Sequence, residues 1–195
     1  MKVKMCGITS AEDAAMCEEL GADALGFVHV NGRYRNLPID RIADMCSTLG
    51  PMTTKVLVCN PQSREEAADM FLKSGTDALQ IHSLGPKDTL SLRDEGICLI
   101  RAVKPTRTEA SMYAECADAL LFEAGVPGTG STYDYSQVPV SACKRSIIAG
   151  GLTVDNIHMA IAVKPYALDV SSGVERLPGK KDPELVAAFI ERCRR

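Results

Sequence analysis

The 195-residue sequence has no excess of positive charge: 22 Lys and Arg against 25 Asp and Glu leave a formal charge of −3. Without a basic footprint, nucleic-acid binding through phosphate neutralisation is disfavoured. No apolar run approaches the roughly 18 residues of a membrane span, so no membrane partner is expected. The N-terminus, Met1-Lys2-Val3-Lys4-Met5, runs straight into a strand-like segment, and no signal peptide is expected. Histidine is scarce, with 3 residues, and none of the 8 cysteines stands in a C-x-x-C pair. A zinc framework is thereby disfavoured, and no metal site is expected. Most of the cysteines fall at apolar strand or helix positions. They read as reduced, buried small hydrophobes, which points to the cytoplasm. No linker, composition break or low-complexity stretch appears, so residues 1–195 are expected to form one domain.

What is present is a repeat. Gly21-Ala22-Asp23-Ala24-Leu25-Gly26-Phe27 resembles both Gly75-Thr76-Asp77-Ala78-Leu79-Gln80-Ile81 and Cys116-Ala117-Asp118-Ala119-Leu120-Leu121-Phe122. Pro165-Tyr166-Ala167-Leu168-Asp169-Val170 is a looser fourth copy. Each copy follows a helical stretch. Glycine in first place suits a left-handed helix end, the Asp suits a turn, and the apolar run suits a strand buried on both faces.

Filling between these joints predicts strands at Val3–Gly7, Ala24–His29, Thr54–Cys59, Ala78–His82, Ile97–Val103, Ala119–Glu123, Ser146–Gly150 and Ala167–Ser171. Helices are predicted at Ala11–Leu20, Ile39–Leu49, Arg64–Lys73, Lys87–Asp94, Thr108–Glu115, Val154–Val163 and Pro183–Arg192, with a weaker one in Tyr135–Cys143. Ser10 and Ser63 are the expected N-caps of two of them, and Thr153-x-Asp155 opens another. Eight strands alternating with helices require parallel connections. An open doubly wound sheet and a closed barrel both accept that order. The even spacing favours an α/β fold, a single compact (β/α)8 TIM barrel.

Such a barrel carries its active site at the C-terminal strand ends. Those ends read Cys6-Gly7, His29, Cys59-Asn60, His82, Lys104, Glu123, Gly150-Gly151 and Asp169-Val170-Ser171-Ser172-Gly173. They are polar where the preceding strands are apolar. The two glycine-bearing ends suit a phosphate: glycines admit close backbone approach, and successive N–H groups, hydroxyls and a following helix N-terminus satisfy the oxygens. The expected phosphate-binding residues are Gly150, Gly151, Ser171, Ser172 and Gly173, and the partner is a small phosphorylated molecule. Gly128-Thr129-Gly130-Ser131-Thr132 lacks the Lys of a nucleotide-binding loop and reads as a flexible loop over the active site.

With Lys4-Met5-Cys6-Gly7-Ile8-Thr9, Leu79-Gln80-Ile81-His82, Gly128-Thr129-Gly130 with Tyr133-Asp134-Tyr135, Ala149-Gly150-Gly151-Leu152, Asp169 through Glu175 and Pro178 through Asp182, the chain resembles the phosphoribosylanthranilate isomerase family along its whole length. The resemblance implies an Amadori rearrangement in tryptophan biosynthesis with no metal or organic cofactor. It implies a Cys base at the end of strand one, matched by Cys6, and an acid at the end of strand six. Glu123 stands where the family carries Asp. Arg35 matches the family's carboxylate-holding Arg, with Arg33 as the other choice if the loop register slips. His82 is expected to line the pocket, and Asp169 to orient groups near the phosphate or the amino nitrogen. As a base, Cys6 must be a thiolate, which calls for positive potential beside it.

Two other readings stand beside this one. A histidine-pathway aminoaldose isomerase would need a second phosphate loop, and no convincing one follows strands three and four. A non-catalytic phosphometabolite-binding barrel is supported only by the Asp-to-Glu departure. Monomer and homodimer both stay open.

Overall fold

The computed structural model describes residues 1–124 and 131–195. Eight parallel strands close into a barrel: β1 (Lys2–Cys6), β2 (Ala24–His29), β3 (Thr54–Cys59), β4 (Ala78–Ile81), β5 (Leu99–Val103), β6 (Ala119–Phe122), β7 (Ser146–Ile148) and β8 (Ala167–Val170). Helices α1 (Ala11–Glu19), α2 (Ile39–Ser47), α3 (Arg64–Ser74), α4 (Pro86–Asp94) and α5 (Arg107–Tyr113) follow the first five strands. α6 (Ile157–Ala162) follows β7, and α7 (Pro183–Arg194) ends the chain. The expected (β/α)8 barrel is therefore present. No helix among the described residues is long and apolar enough to cross a membrane.

The repeated joint has a concrete cause. Gly21 and Gly75 take positive φ, 94° and 63°, as a helix end followed by a turn requires. Each following Asp then accepts an N–H from the neighbouring strand: Asp23 from Val3, Asp77 from Lys55, and Asp118 from Leu99, at 2.8–2.9 Å. The carboxylate thus sets where the preceding strand begins. The fourth joint has no such carboxylate and keeps only the backbone bond that the other three also make, from the Tyr166 N–H to the Ser146 carbonyl.

Strand alternation separates two apolar layers. Met5, Leu25, Phe27, Leu57, Leu79, Leu120 and Leu168 pack outward against the helices. Cys6, Val56, Val58, Ala78, Ala102, Ala119, Leu121, Ala149 and Ala167 fill the interior. The interior set is rich in alanine, which leaves room for a few long polar side chains.

Several expectations are corrected. The segment Tyr135–Cys143 forms two 3-10 turns, Tyr135–Gln137 and Val140–Ala142, because Pro139 lacks the N–H that would continue a helix. α6 starts three residues later than expected. Thr153 and Asn156 exchange side-chain bonds with each other's backbone N–H, closing a separate turn ahead of it. β5 starts at Leu99, so Cys98 lies outside the strand and is exposed, and Cys143 is only half-buried. The other six cysteines are buried, and all eight are free thiols. An antiparallel hairpin, β9 (Glu175–Leu177) and β10 (Lys180–Lys181), was not expected.

Asp118→Ala is expected to destabilise the fold by about 1–3 kcal/mol, because it strands the Leu99 N–H at a strand start. Asp94→Ala, which removes only an exposed ion pair, is expected to cost under about 0.5 kcal/mol. Urea unfolding midpoints of the two variants check this.

Candidate active site

The C-terminal ends of the barrel strands surround a cavity of about 720 Å³. Its wall includes Cys6, Arg35, His82, Glu123, Gly150, Gly151, Asp169, Ser171 and Ser172. Alternation explains the convergence. Cys6, Glu123 and Asp169 each occupy the inward phase of their strand or stand one step beyond its end, as do Gln80 and His82 on β4 and Ser171 after β8.

At the floor of the cavity sits a charged pair. Lys4 is two residues before Cys6 on β1, and Asp169 is its register partner on β8. Lys4 Nζ donates to Asp169 Oδ1 at 2.8 Å, with side-chain exposures of 3% and 9%. Gly26 on β2 makes space for both β1 side chains. A Cβ there would lie 2.9 Å from Cys6 Sγ and 2.9 Å from Lys4 Nζ, so sulfur and ammonium share one small pocket.

Positive potential beside Cys6 is thus present. Burial is the largest influence on the thiol and pushes its pKa up; Lys4 and then Lys181 oppose that, while Asp169 adds to it, and the net shift is upward. For Lys4, burial works against the charge, but Asp169 and Cys6 more than offset it, and its pKa is raised. His82 sits at the rim with its Nε2 3.2 Å from Gln80 Nε2. Burial, then the charges of Arg101, Lys4 and Arg33, lower its pKa to about 4, so it is neutral at physiological pH.

Glu123 follows β6, held by its N–H to the Val103 carbonyl. Its side chain leans over Gly150, where an added Cβ would stand 3.4 Å from Glu123 Cγ. Gly150 and Gly151 both have positive φ, 91° and 64°. The Gly150 carbonyl accepts from Tyr135 Oη at 2.7 Å, and the Gly151 carbonyl from Asn156 Nδ2 at 2.8 Å. Since a trans peptide points N–H and C=O in opposite directions, the N–H groups of Gly151 and Leu152 are turned away from those anchors.

The β8 end differs in part from expectation. One 3-10 turn, Ser172–Val174, follows it, so no full helix N-terminus stands directly behind the serines. Gly173 is not on the cavity wall. A Cβ there would lie 1.9 Å from the Leu152 carbonyl oxygen, so only glycine lets the two loops abut. Ser171 Oγ is buried and has no hydrogen-bond partner among the described residues, as is true of Gln80 Oε1. Both are atoms that a bound ligand would satisfy. The expected loop at Gly128-Thr129-Gly130 lies outside the described residues.

Sequence reasoning missed Lys4, Glu175 and Lys181 as site residues. Lys4 had a readable signal, since it shares the inward phase of Cys6. Lys181 had none. It is 1% exposed, and from the end of β10 its Nζ reaches the Cys6 carbonyl at 2.7 Å and the Ser171 carbonyl at 3.0 Å.

The fold and this rim define a class: a (β/α)8-barrel enzyme shaped for a small anionic substrate. A model of the family described as N-(5'-phosphoribosyl)anthranilate isomerase matches residues 3–192. The chain is 36% identical to an isomerase of that name from Stutzerimonas stutzeri over 205 aligned positions, covering 100% of this chain and 97% of the relative. Phosphoribosyl anthranilate isomerase from Thermus thermophilus superposes with a TM-score of 0.91 at 34% identity, covering 98% of each chain. Another solved phosphoribosyl anthranilate isomerase, in complex with reduced 1-(o-carboxyphenylamino)-1-deoxyribulose 5-phosphate, matches with a TM-score of 0.89 at 31% identity over 100% of this chain and 98% of that one. This chain belongs to the N-(5'-phosphoribosyl)anthranilate isomerase family.

Replacing Lys4 by Met, with Asp169→Asn to avoid a stranded buried carboxylate, is expected to raise the Cys6 pKa further. At fixed pH the alkylation rate of Cys6, followed by peptide mass spectrometry, should then fall. An unchanged rate would show that the pull of the ammonium on the thiol does not exceed the opposing push of Asp169.

Proposed function

We propose that this isomerase converts N-(5'-phosphoribosyl)anthranilate to 1-(2-carboxyphenylamino)-1-deoxyribulose 5-phosphate in tryptophan biosynthesis, with Glu123 as general acid and Cys6 as general base. The observation that carries the assignment is that both side chains enter one cavity whose rim also holds the Gly150-Gly151 and Ser171-Ser172 turns. Glu123 donates a proton to the ring oxygen as the C1′–O bond breaks, and the nitrogen lone pair forms the C1′=N bond. The Cys6 thiolate takes the C2′ proton, and those electrons form an enamine that tautomerises to the ketone. No oxidant or reductant is consumed. Backbone N–H groups near Gly150 and Gly151 and the Ser171 and Ser172 hydroxyls hold the phosphate, Arg35 holds the anthranilate carboxylate, and neutral His82 borders the pocket. Asp169 acts through Lys4, as the counter-ion that keeps that ammonium below the thiol. All eight cysteines being free fits work in the reducing cytoplasm.

Cys6→Ser and Glu123→Ala are each expected to lower kcat by about 10²–10⁴-fold, followed by loss of anthranilate-type fluorescence of freshly made substrate. Turnover that survives Glu123→Ala would move the acid elsewhere. No turnover by a folded parent that still binds substrate would favour a binding protein. Glu123→Asp is a finer test. If this site is shaped for the longer side chain, withdrawing the carboxyl by about 1 Å costs on the order of 10²-fold.

The pH dependence has a definite sign. The base works as thiolate, and burial raises the Cys6 pKa. The acid limb of kcat/KM should therefore climb with pH through a pKa above that of an ordinary thiol. A limb that is flat across the thiol range would remove Cys6 from the role.

A further inference from the structure

Arg35, Glu175 and Lys181 come from three segments: the loop after β2, the start of β9 and the end of β10. They meet at the mouth of the barrel beside Cys6. Arg35 Nε reaches Glu175 Oε1 at 2.8 Å and Nη2 reaches Oε2 at 3.0 Å, a bidentate pair. Lys181 Nζ reaches Oε1 of the same carboxylate at 3.1 Å, and the Gly179 N–H donates to Oε2 at 3.2 Å. Side-chain exposures are 7% for Arg35, 5% for Glu175 and 0% for Lys181.

Two features of this cluster bear on what it can hold. The first is charge. Two cations and one anion leave a net positive charge in a buried place, which is costly until an anion joins it. The second is direction. A guanidinium offers two bidentate edges. Glu175 occupies the Nε/Nη2 edge, so the edge left for a ligand of the cavity is Nη1/Nη2. The guanidinium is also fixed from its other sides. Its Cζ lies 4.2 Å from the Tyr34 ring centroid, and its Cδ lies where a Cβ on Gly7 would be, at 2.3 Å. Gly7, at φ 73°, therefore lets the arginine stem lie flat on the end of β1.

We propose that Glu175 is the positioning residue for carboxylate recognition: it aims the outer edge of Arg35 into the cavity, while Lys181 cancels its charge so that the cluster still selects an anion. This rests on the reading that Arg35 receives the substrate carboxylate. Burial tends to raise the Glu175 pKa, but Arg35 and Lys181 more than offset it and the net shift is downward, so the carboxylate is ionised in the working range.

The test compares two ligands, the product 1-(2-carboxyphenylamino)-1-deoxyribulose 5-phosphate and its phenylamino analogue without the carboxylate. Their Kd values are measured by calorimetry on the parent, Glu175→Gln and Arg35→Ala. Glu175→Gln keeps the shape of the pair and removes its charge. It should weaken the carboxylated ligand by roughly tenfold and leave the other within about twofold. In the assay KM should rise with little change in kcat. A misfolded variant would lose both ligands alike, and Glu175→Asp, which restores the charge, should recover part of the selectivity. Tighter binding of the carboxylated ligand by Glu175→Gln would show Glu175 to be a competitor and overturn the proposal. Selective loss in Arg35→Ala without selective loss in Glu175→Gln would overturn it while leaving the Arg35 reading intact. Parental affinity for both ligands in Arg35→Ala would fell the Arg35 reading itself.

Discussion

The site depends on one buried ion pair. Lys4 and Asp169 face each other across the seam where β1 meets β8 and the barrel closes. Taking two charges out of water is expensive, and such a pair is tolerated when its geometry is good. In the proposed reaction it serves chemistry more than stability. Cys6 stands one layer above Lys4, and Ser171 one layer above Asp169. The ammonium that neutralises the aspartate is also the nearest cation to the thiol. If either partner were lost, the other would be left charged in the floor of the cavity.

A second ionic group closes the same seam from above. Lys181 ties the carbonyls of Cys6 and Ser171 together, so one ammonium joins the ends of β1 and β8. Its backbone N–H donates to Asp13 in α1 at 3.0 Å, and the Thr9 hydroxyl donates to the Gly179 carbonyl. The hairpin β9–β10 is thereby pinned to the first βα unit. β1, β8 and the loop after β2 form one corner tied by these contacts. Anchoring of this kind suits a reaction in which misplacement by about 1 Å is costly.

Much of the architecture was readable along the chain. Helix caps at Ser10 and Ser63 bond to the N–H groups three residues on, and the strand order follows the repeated joint. These features are local: capping, left-handed glycine and apolar runs are decided within a few residues. The errors fell where distant contacts decide. β5 begins where Asp118 caps it from the next joint, and α6 is delayed by a Thr153–Asn156 exchange. At Gly173, expected to bind phosphate, a distant contact also acts: the Leu152 carbonyl leaves room for nothing but glycine.

By itself the sequence determined the barrel, the family and the strand ends where chemistry collects, because alternation and chain order put Cys6, Glu123 and Asp169 on inward phases. Only the tertiary structure decided how charge is arranged among them. Asp169 is a counter-ion to Lys4, Glu175 is the anchor of Arg35, and Lys181 spans the seam. Those partners lie 165, 140 and 175 residues apart in sequence. Electrostatic pairing depends on distance and burial in space, and no pattern along the chain encodes either until the barrel has closed.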